Sequence, residues 1–140
     1  MRNKEMARDY VTRAKRCLRE AALALEEDDP PGAVRRSQEA LELAVKALLR
    51  LIAVEYPREH DVSDVLLENV EKIPEELRSH VQQIAELMAE LAAVRGPAFY
   101  GYEREGIPPS EAFTRGYSED VYEKVRRYVT LIMTSMGKYL

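Results

Sequence analysis

The segment from Arg95 to Arg104 carries the clearest chemical potential of the sequence. It reads Arg-Gly-Pro-Ala-Phe-Tyr-Gly-Tyr-Glu-Arg, with three aromatic rings between two arginines. A guanidinium group presents a planar fork of N–H donors that matches phosphate oxygens, and aromatic rings stack against nucleobases. Arg95, Tyr100, Tyr102 and Arg104 are therefore our candidate residues for binding a nucleotide or RNA.

The same residues also have structural explanations, which the sequence leaves open. Arg95 lies near the end of a predicted helix, where a cation complements the helix dipole. The aromatic rings of the segment could simply close one end of a helical bundle.

The sequence lacks the residues that several other kinds of site require. The glycines are scattered and no Gly-Lys-Ser/Thr follows them, so a phosphate-binding loop is excluded. His60 and His80 are the two histidines, too few for a two-histidine helical metal motif, and we expect His60 to cap or anchor a loop. Cys17 is the single cysteine, which excludes an intramolecular disulfide, and we expect a buried thiol rather than a nucleophile. We expect no metal site and no cofactor.

Size and charge limit the partners. The 140 residues fit one domain spanning 1–140, and 21 Lys+Arg against 25 Asp+Glu give a net charge of −4. This balance argues against a surface covered with phosphate contacts, although it allows a local basic groove. The densest basic surface, which we interpret as a solvated helix face, comprises Arg8, Arg13, Lys15, Arg16 and Arg19. With no membrane span or signal peptide recognisable, we expect a cytoplasmic protein.

The apolar residues repeat at steps of three and four, and this spacing predicts helices and no strands. The sequence therefore predicts an all-α, up-and-down bundle of four long helices plus one short helix. The second helix is apolar on most sides, so it is either central or shared with another subunit. The predicted helices are Met6–Leu25, Pro31–Val54, the short Ser63–Asn69, one from Pro74 to the Gly96-Pro97 pair, and one from Ser118 to the C-terminus.

A long predicted loop follows the fourth long helix. Residues 96–117 have no strong helical pattern, apart from a single turn predicted near Pro109–Phe113. A loop of this length in a compact domain is usually functional, or else the assignment of the segment as a loop is wrong. Arg95 continues the apolar seam of the preceding helix, so we expect its guanidinium to point toward the bundle axis or a partner.

The order and spacing of these elements resemble the prokaryotic HEPN domain. The resemblance rests on the helix from Ser37 to Leu51, on the following segment Tyr56-Pro-Arg-Glu-His-Asp-Val with its short leucine-rich helix, and on the opening helix with its acidic turn. It covers nearly the whole chain.

The resemblance implies a helical bundle that usually dimerises. Many members are metal-independent endoribonucleases whose signature is an arginine followed at short range by a histidine, often with a tyrosine just beyond. Other members work beside a small nucleotidyltransferase, either as the toxin of a toxin–antitoxin pair or as a substrate-binding module.

Carried onto this sequence, the signature arginine matches Arg95 and the trailing tyrosine matches Tyr102, while Tyr100 stands where the histidine belongs. The histidine is expected to handle a proton during attack of the ribose 2′-hydroxyl. A tyrosine ordinarily titrates near pH 10 and is poorly tuned for that task. His60 and His80 lie outside the motif, so we do not recruit them, and Arg95 and Tyr100 stand as the catalytic candidates.

The leading hypothesis is a non-catalytic or weakly active nucleotide- or RNA-binding homodimer that acts with a minimal nucleotidyltransferase. One alternative is an active metal-independent endoribonuclease. Another is a structural dimer or adaptor that binds no nucleotide.

Overall fold

The computed structural model describes residues 2–140, and in this part of the chain it shows an all-α bundle without β-strands. Four helices of 20 to 24 residues form its body, as the sequence predicted, and three short helices join them. The helices are α1 (Asn3–Glu26), α2 (Pro30–Leu51), α3 (Ser63–Glu68), α4 (Glu75–Arg78), α5 (Val81–Tyr100), α6 (Pro109–Ala112) and α7 (Arg115–Met136).

Helix α2 is the centre of the bundle. It packs against α1, α7 and α5, and its large apolar side chains Leu41, Leu48 and Leu49 are almost completely buried. Small residues such as Ala40 and Ala44 are also fully buried, and their size lets the neighbouring helices approach closely. The broad apolar surface of α2 is thus covered within one chain.

An aspartate in the turn between α1 and α2 caps the start of α2. The Asp29 side chain accepts a hydrogen bond from the Gly32 amide at 3.1 Å, and Pro30 and Pro31 occupy the first turn of α2. A Cβ atom at Gly32 would lie 2.1 Å from an Asp29 carboxylate oxygen, so a side chain there would force this carboxylate to shift. The cap satisfies one of the free amides at the start of the helix.

The predicted helix from Pro74 to Gly96-Pro97 is wrong at both ends. Its first turn is the separate helix α4, because the Arg78 side chain bonds the carbonyls of Ile73 and Glu71 and the chain turns before Val81. At the other end, α5 continues through Pro97 to Tyr100. Proline removes one hydrogen bond, to the carbonyl four residues earlier. That carbonyl belongs to exposed Ala93, while buried Ala98 packs the last turn onto the core.

The predicted 96–117 loop is consequently much shorter, spanning residues 101–114 between α5 and α7. Gly101 ends α5 with φ of 74°, and a Cβ there would lie 2.1 Å from the Ile107 carbonyl oxygen. The predicted turn near Pro109–Phe113 is confirmed as α6. Helix α7 begins at Arg115 rather than Ser118, because the Thr114 hydroxyl accepts a hydrogen bond from the Tyr117 amide.

The other long helices differ little from prediction. Helix α2 ends at Leu51 rather than near Val54, where the chain turns through Ala53 with φ of 59°. Within residues 2–140, no helix combines the length and apolarity needed to cross a membrane.

Candidate functional site

Arg95 lies near the C-terminal end of α5 and reaches across to α2. Its Nη1 donates a hydrogen bond to Oε1 of Gln38, so the guanidinium points toward the bundle, as the apolar seam predicted. Gln38 is only 3% exposed. A buried amide is costly unless it is hydrogen-bonded, so this contact both satisfies Gln38 and holds Arg95 in one place.

A carboxylate continues this hydrogen-bond chain along α2. Nε2 of Gln38 donates to Oε1 of Glu42 at 2.7 Å, and Nζ of Lys46 donates to Oε2 of the same carboxylate at 2.9 Å. The Glu42 side chain is 14% exposed. Residues 38, 42 and 46 are four apart, so they lie on one face of the helix and connect the middle of α2 to its C-terminal half.

Two aromatic rings lie in the open beside Arg95. Phe99 follows Arg95 by four positions in the same helix and therefore shares its face, whereas Tyr100 is the last residue of α5. The rings contact edge to face with centroids 4.6 Å apart, and they are 58% and 64% exposed. The guanidinium carbon of Arg35 lies 5.1 Å from the centroid of the Phe99 ring.

These side chains surround one cavity of about 390 Å³, which we call the Arg95 pocket. The lining combines two arginines, an imidazole and two aromatic rings, from residues Arg35, His60, Ala92, Arg95, Gly96, Phe99 and Tyr100. Guanidinium groups recognise phosphate, and the rings offer stacking faces. The arrangement can therefore hold a group that is both anionic and aromatic.

The structure brings two of the four sequence candidates together. Arg95 and Tyr100 line the Arg95 pocket, whereas Tyr102 and Arg104 lie beyond Gly101, where the chain reverses direction. The Tyr102 amide donates to the Ile107 carbonyl at 2.8 Å, and the Ile107 amide donates back at 3.0 Å. Tyr102 and Arg104 thus belong to the loop that follows the pocket.

Sequence reasoning missed His60 and Arg35 as pocket residues. His60 belongs to the loop between α2 and α3, and its Nδ1 lies 3.0 Å from Oε1 of Glu42. The predicted loop-anchoring contact is therefore present, and it places the imidazole beside Arg95. No spacing within one helix connects residues 35, 60 and 95, so only their packing could have identified them together.

A second polar cavity, which we call the Arg50 groove, adjoins the Arg95 pocket through His60, which lines both. Its volume is about 970 Å³, and it lies between the start of α1, the end of α2 and the loop that follows α2. Nε of Arg50 donates to the Tyr56 hydroxyl at 3.0 Å, and this guanidinium also faces the Tyr10 ring. Burial raises the pKa of the Tyr56 hydroxyl above its usual value.

Cys17 has the environment of a core residue. It is buried on the inner face of α1, with Glu39 as its polar neighbour. Burial, and next the nearby Glu39 carboxylate, raise the pKa of the Cys17 thiol to about 11. Because the thiolate is the nucleophilic form, this thiol is protonated near neutral pH and poorly reactive.

The candidate residues contain no obvious metal centre. Across residues 2–140, no group of three or more histidine, cysteine, aspartate or glutamate side chains is placed to hold a metal ion.

Comparison with known proteins gives one match. The model of the HEPN domain matches residues 7–137, nearly the whole chain. No curated protein and no solved structure matches the chain. The matched range includes every residue of the Arg95 pocket.

Proposed function

We propose that this chain, which belongs to the HEPN family, binds a nucleotide or a segment of RNA in the Arg95 pocket. The family supports a role connected with nucleotides or RNA in general terms. The observation that carries the more specific proposal is Arg95 itself, which is anchored to buried Gln38 beside two exposed rings, Phe99 and Tyr100.

The chemistry of the pocket favours a phosphate next to a base. Arg35 and Arg95 supply positive charge, and a planar guanidinium can form two parallel hydrogen bonds to phosphate oxygens. Phe99 and Tyr100 present exposed faces, which stack on any base without demanding a particular sequence. Tyr102 and Arg104, in the following loop, are proposed to contact a longer RNA segment outside the pocket.

We extend the proposal to a homodimer, since HEPN proteins commonly dimerise. Support comes from the large apolar side chains left uncovered at one end of the bundle. Leu23 of α1 is 52% exposed, and it lines a groove together with Phe99 of α5. A second copy that covered Leu23 and left the Phe99 ring open would bring two Arg95 pockets close to each other.

The proposed partner is a small nucleotidyltransferase, in an arrangement of the toxin–antitoxin type. This part of the proposal rests on the family alone. It predicts that the two proteins copurify when they are expressed together.

The catalytic activity expected of the HEPN signature depends on the residue at position 100, which is a tyrosine. Its phenol stands where active members have a histidine, and a phenol is a poor proton carrier near neutral pH. We therefore propose that Arg95 and Tyr100 by themselves support weak cleavage or none. The adaptor alternative predicts tight self-association without binding of any nucleotide.

The test is a titration of the native protein with a fluorescent single-stranded RNA, beside Arg95→Ala and Arg19→Ala. Arg19 is an exposed arginine of α1 that lies outside the pocket, so it controls for general charge. We expect Arg95→Ala to weaken binding roughly tenfold or more, because a hydrogen bond to a charged group contributes about 1.5–3 kcal/mol. Equal affinity for the native protein and Arg95→Ala would refute the site.

Light scattering tests the dimer separately. A species of 32 kDa, twice the 16.1 kDa chain, is expected at micromolar concentration. A stable monomer would refute the paired-pocket arrangement and leave the binding site itself unaffected.

A further inference from the structure

His60 is held next to Arg95 by a residue of the central helix. The loop between α2 and α3 folds back on α2, where the Glu59 carbonyl accepts a hydrogen bond from Nζ of Lys46 at 2.6 Å. Immediately after Glu59, Nδ1 of His60 lies 3.0 Å from Oε1 of Glu42. Two consecutive residues of this loop are therefore fastened to the same stretch of α2.

The same carboxylate oxygen connects His60 to Arg95. Oε1 of Glu42 also accepts the hydrogen bond from Gln38, and Gln38 in turn accepts the hydrogen bond from Arg95. His60 and Arg95 are thus the two ends of one chain of hydrogen bonds, and both side chains line the Arg95 pocket. An imidazole and a guanidinium that face one cavity can act on one bound group.

The contact with Glu42 determines which ring nitrogen of His60 is free. An ionised carboxylate oxygen can only accept a hydrogen bond, so Nδ1 carries the proton in this contact. In the neutral ring Nε2 then keeps its lone pair and can accept a proton. The His60 side chain is 56% exposed, so a ligand in the pocket can reach the ring.

We propose that His60 is the proton-accepting catalytic residue of the Arg95 pocket, in place of the histidine that Tyr100 replaces in the signature. Nε2 takes the proton of a ribose 2′-hydroxyl while that oxygen forms a bond to the adjacent phosphorus. The bond from phosphorus to the 5′ oxygen breaks, the leaving oxygen takes a proton from water, and the hydroxide that remains takes the proton from Nε2. The products are a 2′,3′-cyclic phosphate and a 5′-hydroxyl, and Arg95 stabilises the charge on the phosphate oxygens.

This inference rests on the proposed RNA binding and adds a residue that can accept a proton. The charged residues that line the two cavities beside the ring belong to α2, to α5 and to the loop of His60 itself, and they are Arg35, Glu42, Lys46, Arg50, Glu55, Arg58, Glu59 and Arg95.

The experiment measures RNA cleavage in excess chelator by the native protein, His60→Asn and His80→Asn. An asparagine amide can still donate to Glu42 in place of Nδ1, but it lacks Nε2. His80 is the matched control, since it precedes the first residue of α5, about 22 Å along the helix from Arg95. A substrate with a 2′-deoxyribose at the cleaved position must remain intact.

We expect the native protein and His80→Asn to cleave equally, and His60→Asn to be at least about 100-fold slower, as for loss of a general base. The RNA affinity of His60→Asn should change less than about twofold. Added imidazole should partly restore cleavage to His60→Ala, which a structural role of His60 would not allow.

Three outcomes would overturn the inference. Equal cleavage by the native protein and His60→Asn would exclude His60 as the base. RNA binding without any cleavage between pH 6 and pH 9 would overturn the catalytic role and leave the proposed binding intact. Absence of RNA binding by the native protein would overturn both proposals.

Discussion

Arg50 and Arg95 each lie beside aromatic rings, and the two surroundings can be compared directly. In the Arg50 groove, the guanidinium carbon is 5.5 Å from the Tyr10 centroid and 5.6 Å from the Tyr56 centroid. Both rings are half-buried, and Nε of Arg50 is bonded to the Tyr56 hydroxyl. Arg50, Tyr10 and Tyr56 therefore make their polar and cation–π contacts mainly with one another.

The Arg95 pocket is organised differently. Arg95 is held by a buried amide from another helix, and the neighbouring rings of Phe99 and Tyr100 are more than half exposed. The Gln38 amide that holds Arg95 is therefore buried, whereas the Phe99 and Tyr100 rings lie on the surface. The difference shows that arginine and aromatic residues alone do not identify a binding site. What distinguishes the Arg95 pocket is a positioned cation beside rings that remain more than half exposed.

Removing the buried anchor should have the largest effect. Gln38→Ala breaks the contacts to Arg95 and Glu42, and it is expected to lower the free energy of unfolding by about 3 kcal/mol, because both partners are charged. Urea denaturation measures the change. Gln83→Ala is the control, since Gln83 is exposed on α5 and should change stability by less than about 0.5 kcal/mol. A loss below about 1 kcal/mol for Gln38→Ala would mean that the anchor is not formed in solution.

Phe99→Ala should separate binding from stability. We expect RNA affinity to fall about tenfold, since stacking on one ring contributes about 1–3 kcal/mol. The free energy of unfolding should change by less than about 0.5 kcal/mol, because the ring is exposed. Tyr139→Ala removes an exposed ring outside the pocket and should leave affinity unchanged. Lower stability with unchanged RNA affinity would instead show that Phe99 stabilises the fold and does not contact RNA.

Tyr56→Phe tests whether the Arg50 groove stabilises the fold rather than binding RNA. Loss of the hydroxyl that accepts the Arg50 hydrogen bond should lower the free energy of unfolding by about 1 kcal/mol, with RNA affinity unchanged. The paired variant Tyr100→Phe should leave stability unchanged, since that ring is exposed. Chemical denaturation and the RNA titration together provide both readouts. Weaker RNA binding by Tyr56→Phe would extend the ligand site into the Arg50 groove.

The smallest effect on stability is expected at Glu76, whose ion pair with Lys138 lies outside both clusters. The hydrogen bond from Lys138, followed by backbone and Ser135 contacts, lowers the pKa of the Glu76 carboxyl to about 2 from an ordinary 4.5. A lowered pKa in the folded state stabilises the protein above pH 4.5, and this contribution disappears as the pH falls toward 2.

Thermal melts of the native protein and Glu76→Gln should therefore differ slightly at pH 7 and converge in acid. The contact is exposed, so 1 M salt should also reduce the difference. A difference that grew toward low pH would contradict the assigned direction of the pKa change.

Helix content was the most predictable property of this chain. Apolar side chains at steps of three and four placed the four long helices, and α2 was identified as central or shared from its composition alone. Local signals also predicted the turn at α6. These features depend on residues close together in sequence, which explains why the pattern was sufficient.

The end of α5 was not predictable from local rules. Gly96 and Pro97 ordinarily end a helix, and here the burial of Ala98 and the exposure of Ala93 allow the helix to continue. This extension decides which face carries Phe99 and Tyr100. It also moves Tyr102 and Arg104 beyond the last turn, into the loop that follows.

By itself, the sequence determined the all-α class and the family that the order and spacing of the helices resemble, and it restricted Arg95 to pointing toward the bundle axis or a partner. Only the tertiary structure placed Arg35, His60 and Arg95 around one cavity, because these residues come from α2, a loop and α5. Helical periodicity reports which residues share one face of one element. Which faces meet depends on how several elements pack together, and that packing brings His60 to Glu42.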